Sequence, residues 1–294
     1  MKRFLVLVNP SSHGGRSGRR LPRLRELLPE GEFVVLQSID EARRRAREAK
    51  GYEAVVACGG DGTINAVAGG VLENQDASLR FGVIYAGTSP DFCREHGIPT
   101  EVDSAIEVLR KGEVREIPVL TANGVPFFCS MNLGMGAAVA SSANRLRPKL
   151  GDFVGTLWSV LREVMRGRRY DIEVNGETIH DVVHALVTRM PRIAGGLRLA
   201  LPPLADNEYA LWLARNVSRL GCLRLLWKMY RGKPCGEIRI LRGTAEISSA
   251  VPVALEYDGD SHGALPVAVD VVQDRLRLVV SRSEGECTCK NRIS

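Results

Sequence analysis

The sequence predicts an α/β N-terminal domain followed by a mainly β, sandwich-like C-terminal domain, and three observations predict it. Short apolar runs alternate with helical periods through the first third of the chain. After about residue 118 the texture changes to short strands and turns. With 294 residues, 45% of them hydrophobic, the chain is long enough to bury two cores. The expected division is 1–118 and 119–294, with the last residues free to return to the first domain.

In order, "RFLVLVN" reads as a short buried strand and "GRRLPRLRELL" as a helix. "EFVVLQS", "EAVVAC" and "LRFGVIYAG" are further strands, separated by the helices "DEARRRAREAK" and "TINAVAGGVLE". "EVDSAIEVLRKG" closes the series as a helix ending at Gly112. Strands that alternate with helices in this way build a mostly parallel sheet, which gathers ligands at the carboxyl ends of its strands. "NPSSHGGRSG", "CGGDGT" and "YAGTSPDF" are therefore candidates for one rim.

Beyond that point "VREIPVLTANGVPFFCSMNLG" reads as two strands around an Asn-Gly turn. "RPKLGDFVGTLWSVLREVMRG" reads as one amphipathic helix with Phe153, Leu157, Val160, Leu161 and Val164 to one side. "RYDIEVNGETI", "VVHALVT", "GEIRILRG", "AEISS", "VALEYDGD" and "RLRLVVS" follow as short strands.

Composition bounds the function. The net charge of +6 favours anionic partners such as nucleotides, polyphosphates or acidic lipid surfaces without choosing among them. The N-terminal apolar run is only five residues long before Asn9-Pro10, too short for a signal-peptide core. No apolar stretch reaches the roughly 18 residues needed to span a bilayer. The seven cysteines include no C-x-x-C pair and read as reduced thiols of a cytoplasmic protein. Cys287 and Cys289, in "CTCK", read as an exposed, inert tail, with metal binding or lipidation as the alternatives.

"CGGDGT" is the strongest local signal. Gly59, Gly60 and Gly62 permit close backbone approach, and the helix start behind them offers free N–H groups to an anion. Thr63 can cap that helix or bond a phosphate oxygen. Asp61 would repel a phosphate unless a divalent cation sits between them; otherwise it is a plain helix cap. A second strand ends in Gly87-Thr88, again with an acid three residues on, Asp91. Two such loops are what a Mg-nucleotide site needs.

"LVNPSSHGGRSG", "GGDGTIN", "GTSPDFCREHGIP", "AGGLRLALPPLADNE" and "YDGD" stand in an order and spacing that resembles the bacterial diacylglycerol kinase and sphingosine kinase-like lipid kinases, over nearly the whole chain. The GGDGT element alone is shared with NAD kinases and 6-phosphofructokinases. The resemblance implies an N-terminal nucleotide domain of that type and a β-sandwich meeting it at a cleft. It implies that Asn9, Ser38, the Gly59–Asn65 loop and Thr88 hold ATP, and that Asp61 and Asp91 organise Mg²⁺. Asp260 falls on the family's catalytic acid, a general base toward a lipid hydroxyl, and Asp206 on a structural Mg²⁺ site that also uses carbonyls such as those of Pro203 and Glu208.

The sequence departs from the family at four places. Gly-Asn-Asp-Phe is Ser89-Pro90-Asp91-Phe92, Asn-Glu is Asn65-Ala66, D-G-E is Asp258-Gly259-Asp260, and the Asp-Gly of the structural metal site is Asp206-Asn207. Pro90 removes an amide side chain and a backbone N–H.

Other constellations are poorer. His180 and His184 sit on a strand pattern that would put them on one face, without a third ligand. "LGMGAAVA", 133–140, lacks the acid that a dinucleotide fingerprint requires and reads as close helix packing. The basic helix with Trp158 reads as a core helix with a solvated face, the alternative being a rest on an anionic membrane.

The expected function is an ATP- and Mg²⁺-dependent kinase of a diacylglycerol-like or long-chain-base-like lipid met at a membrane surface. The protein would be cytoplasmic or peripheral to the membrane, with no nucleic acid partner and a homodimer left open. The alternatives are a kinase of a soluble acceptor and a catalytically weakened nucleotide- or lipid-binding protein.

Overall fold

A computed structural model describes residues 3–272 and 276–282, and the chain divides into two units, 1–117 with 276–294, and 118–275. The first unit contains β1 (Phe4–Val8), α1 (Ser12–Leu27), β2 (Gly31–Val35), α2 (Ile39–Arg47), β3 (Ala54–Gly59), α3 (Asp61–Leu72), β4 (Arg80–Tyr85), α4 (Asp91–Glu95), α5 (Val102–Lys111) and β5 (Glu113–Ile117). The strands β1 and β3 are buried along their whole length, as parallel strands covered on both faces are. Helix α3 is small and apolar nearly all round. Its Gly70 admits α2 so closely that a Cβ there would come within 2.7 Å of Ala46 Cβ.

The second unit runs through β6 (Leu120–Ala122), β7 (Val125–Phe127), β8 (Met131–Gly134), α6 (Met135–Arg166), β9 (Tyr170–Val174), β10 (Glu177–Thr188), β11 (Arg192–Ile193), β12 (Leu197–Arg198) and β13 (Glu208–Arg215). It continues through α7 (Arg219–Tyr230), β14 (Glu237–Arg242), β15 (Ala245–Ser248), β16 (Ala254–Tyr257), β17 (Asp260–Ala264) and β18 (Val267–Val271). Eleven of its strands form one antiparallel sheet in the order β17-β16-β8-β10-β9-β15-β18-β6-β7, with β13 joining β10 to β14. The sheet wraps a core in which Tyr209, Leu211 and Leu213 pack with Ile172, Ile247 and Val269.

The chain then leaves this unit. Strand β19 (Leu276–Val280) lies parallel to β4 and antiparallel to β5, completing the first sheet as β2-β1-β3-β4-β19-β5. "RLRLVVS" is thus a strand of the first sheet, not of the second.

Several expectations are corrected. The stretch read as two strands holds four, β5 to β8, although the Asn123-Gly124 hairpin is present with φ of +50° and +78°. Helix α6 begins at Met135 rather than at Arg147, because "LGMGAAVA" ends β8 and starts the helix. Val164 is buried on it, Leu161 is exposed, and the side chains of Phe153 and Leu157 lie outside the described residues. Strand β13 and helix α7 are additions to the sequence reading. No described helix is long and apolar enough to cross a membrane.

Candidate active site

In the first unit, β1, β3 and β4 lie side by side and parallel, so the loops after them share one edge of the sheet. Asn9 follows β1. Its backbone N–H donates to the Cys58 carbonyl at 3.0 Å, and its side-chain Nδ2 donates to Thr63 Oγ1 at 3.0 Å. The Ala86 N–H, after β4, donates to the Gly59 carbonyl at 2.7 Å. Gly60 caps α3 in extended conformation and donates its N–H to Ser12 Oγ at 3.4 Å.

Thr63 therefore does not cap the helix. It is buried one turn in and held by Asn9. Asp61 is the first helical residue. The glycines are required by space: a Cβ on Gly87 would lie 2.7 Å from Gly60 Cα, whereas one on Gly62 would meet nothing within 4 Å. The backbone of the two loops touches, and the first turn of α3 is open.

Burial, then the charge of Asp61, pushes the Tyr85 phenol up from its ordinary range, Cys93 and Asp91 adding to the effect. Asp91 opens α4 and is buried, with Arg94 at 4.0 Å. Burial, then Asp61, pushes the Cys93 thiol up to about 12, and burial does the same to Cys58, so neither thiol offers a thiolate nucleophile. Asn65 Oδ1 is buried without a hydrogen-bond partner among the described residues and so can accept from a bound group. These residues fit a phosphate with one divalent cation, which takes one or two carboxylates and completes its shell from phosphates and water. Among the described residues no three His, Cys, Asp or Glu side chains group to hold a metal by themselves.

Ser38 and Thr88 differ from this set. Ser38 Oγ accepts the Glu41 N–H at 3.1 Å as the N-cap of α2, which leaves its O–H as the one donor it can offer. Thr88 is exposed beyond β4.

In the second unit, Asp258 and Gly259 form the two-residue turn between β16 and β17, with φ of +54° and +96°. Asp258 is a structural anchor: its carboxylate accepts the N–H groups of Phe128, Cys129 and Ser130 at 2.7, 2.8 and 3.2 Å. Glu256, buried, accepts from Asn132 Nδ2 at 2.6 Å and from the Gly259 N–H. Asp260 opens β17 opposite Tyr257, and its side chain lies outside the described residues.

Of the two carbonyls expected to hold a structural metal, that of Glu208 is occupied. Arg189 Nη1 donates to the carbonyls of Ala205 at 2.9 Å and Asp206 at 3.2 Å, and to that of Glu208. The Glu208 carboxylate accepts from the Ala205 N–H at 2.8 Å and from Arg242, which hold it below the usual carboxylate range. A guanidinium therefore stands where the resemblance implied a metal beside the Glu208 carbonyl.

His180 and His184 do not share a face, because a bulge at Asp181 (φ +60°) interrupts the alternation of β10. His180 bonds Asp171 at 2.9 Å in solvent. His184 is half-buried beside Trp212, where its Nδ1 accepts the Gly136 N–H at 3.1 Å. The Cys287 and Cys289 tail lies outside the described residues.

Residues 3–122 match the family described as "Diacylglycerol kinase catalytic domain", and residues 129–280 match the "YegS C-terminal NAD kinase beta sandwich-like domain". The chain belongs to the bacterial diacylglycerol kinase-like family. It is 24% identical to a diacylglycerol kinase of Bacillus subtilis (strain 168), over 97% of this chain and 99% of that one. A diacylglycerol kinase of Staphylococcus carnosus (strain TM300) is 25% identical over 90% of both chains. The crystal structure of a diacylglycerol kinase from Bacillus anthracis str. Sterne shares the fold, with a TM-score of 0.77 at 20% identity over 96% of this chain and 97% of that one. Membership of a kinase family implies ATP as phosphoryl donor. Two residues that the sequence reading left out lie at this edge of the first unit: Ser12, whose hydroxyl accepts the Gly60 N–H, and Tyr85, the last residue of β4. In the second unit Glu256 was also left out: it is buried between Leu255 and Tyr257 on β16, and a carboxylate inside that apolar run was the available signal.

Proposed function

We propose that the protein transfers the γ-phosphate of ATP, with Mg²⁺, to a hydroxyl of a diacylglycerol-like or long-chain-base-like lipid. The observation that carries this reading is the edge of the first sheet, where Asn9 holds Thr63, Gly60 meets Gly87, and Asp61 and Asp91 open the helices that follow β3 and β4. The backbone of Gly60 to Gly62 would approach the phosphates, the open N–H groups of α3 accepting their charge. Asn9 orients Thr63 toward the same phosphate edge. Asp61 and Asp91 would hold Mg²⁺, which when bound offsets charge on the phosphates. Asp260 would take the proton of the acceptor hydroxyl as its oxygen attacks the γ-phosphorus and ADP leaves.

The test is transfer of label from γ-³²P-ATP into a panel of detergent-dispersed lipids, extracting organic and aqueous phases separately. Label in the organic phase that disappears in Asp260→Asn supports the reading. Label confined to the aqueous phase, from a water-soluble acceptor, replaces the lipid with a soluble substrate. ATP binding without transfer makes the protein a weakened kinase. One feature favours that second reading: Pro90 stands as the N-cap of α4 directly before Asp91, offering no N–H and no side-chain donor.

A further inference from the structure

Helix α7, inserted between β13 and β14, packs on its unit by one face. Cys222 turns onto Val164 and Val183, while Leu225 and Met229 turn onto Trp212. The opposite stripe is Leu220, Leu223, Trp227 and Tyr230, spaced i, i+3, i+7 and i+10 as one helical face. These four are 58%, 39%, 54% and 71% exposed. Single exposed apolar residues are ordinary, but a contiguous ridge of them marks a surface that is covered in use.

Charge states what covers it. Arg224 and Lys228, both exposed, run along one side of the ridge. Arg231 and Lys233 hold their charges 5.8 and 5.2 Å from the centre of the Trp227 indole. From 219 to 233 there are five basic residues and no acidic one. Helix α6, packed against α7, exposes Trp158, Leu161 and Met165 at the same helical spacing, beside Arg162 and Arg166.

We infer that the outer face of α7 docks the protein on an anionic lipid bilayer, with Leu220, Leu223, Trp227 and Tyr230 in the headgroup boundary. The aromatic rings suit that boundary, the aliphatic groups enter below it, and the basic side chains reach up to the acidic headgroups. A second copy of the chain fits worse, since a two-fold contact would set each basic ridge against another. The docking face rests on the reading of the acceptor as a lipid, which must be met where it is dissolved.

The experiment is flotation of the full chain with phosphatidylcholine vesicles, with and without phosphatidylglycerol, at low and physiological salt. The wild type is expected to float only with the anionic vesicles, and less as salt rises. Leu223→Ser with Trp227→Ser should weaken binding by about tenfold or more. Arg224→Gln with Lys228→Gln should weaken it roughly thirtyfold at low salt. Both pairs should keep the wild-type urea midpoint and the wild-type rate on a short-chain acceptor dispersed in detergent. Vesicle binding unchanged in both variants overturns the proposal. So does a wild-type dimer that the Trp227 variant makes monomeric without any vesicle binding. If no lipid is phosphorylated in detergent while wild-type flotation and its loss hold, the docking face stands and the acceptor reading falls.

Discussion

The carboxylate of Asp258 accepts the backbone N–H of Phe128 at 2.7 Å, tying the turn after β16 to the segment before β8. With Cys129 and Ser130 bound to the same carboxylate, the first aspartate of Asp-Gly-Asp is structural. Asp258→Ala leaves three partly buried donors without this acceptor and should cost about 2–4 kcal/mol in urea unfolding. Asp260→Asn should instead abolish phosphoryl transfer while nucleotide affinity stays near wild type. Full activity in Asp260→Asn would remove it from the base role.

Gly60 and Gly87 approach so closely that a methyl group cannot enter between them. Gly87→Ala would set a Cβ 2.7 Å from Gly60 Cα and must push the two loops apart. ATP affinity, measured by calorimetry, should fall about tenfold or more, since backbone that contacts phosphate tolerates little displacement. Gly62→Ala, where a Cβ meets no protein atom within 4 Å, should keep the wild-type urea midpoint, so a loss of ATP affinity there reports the Cβ meeting the nucleotide and not a displaced loop.

Much of the fold was readable because the first unit obeys a simple period. The uniformly apolar β1 and β3 can be little else but covered parallel strands, and the glycines after them locate the edge where Asn9 and Asp61 lie. The second unit was harder for physical reasons. Strand β13 is buried from end to end, so "EYALWLA" offers no alternation, and α7 has apolar residues on its outer as well as its inner face. Neither pattern announces a period. Tyr85 was hidden in the same way, as the last residue of a run that reads as strand. The return of β19 depends on pairing with β4 and β5, which no local pattern encodes.

Arg189 places a permanent positive charge among the carbonyls of Ala205, Asp206 and Glu208. A side-chain cation there would make this loop independent of free metal. Without nucleotide, the melting temperature should be the same in EDTA and in Mg²⁺. Arg189→Ala should unfold about 2 kcal/mol more easily, because three carbonyls lose their donor. A wild-type melting temperature that drops in EDTA would show a metal bound in this loop despite the arginine.

His184 and His96 are half-buried, and their surroundings set a pH response. Burial holds each near about 4, against an ordinary value of 6.5; the Leu133 carbonyl works against burial at His184, and Arg115 adds to it at His96. Between those values the unfolded chain binds protons that the folded chain refuses, so stability is complete above about 6.5 and falls as pH drops toward 4. Each histidine contributes a slope of up to about 1.4 kcal/mol per pH unit in that window. His184→Gln keeps an acceptor for the Gly136 N–H but removes one titrating group. Its urea midpoint should therefore fall less than that of the wild type between about pH 7 and about pH 5. Equal falls in the two proteins would mean that His184 takes up its proton in the folded state at its ordinary pH.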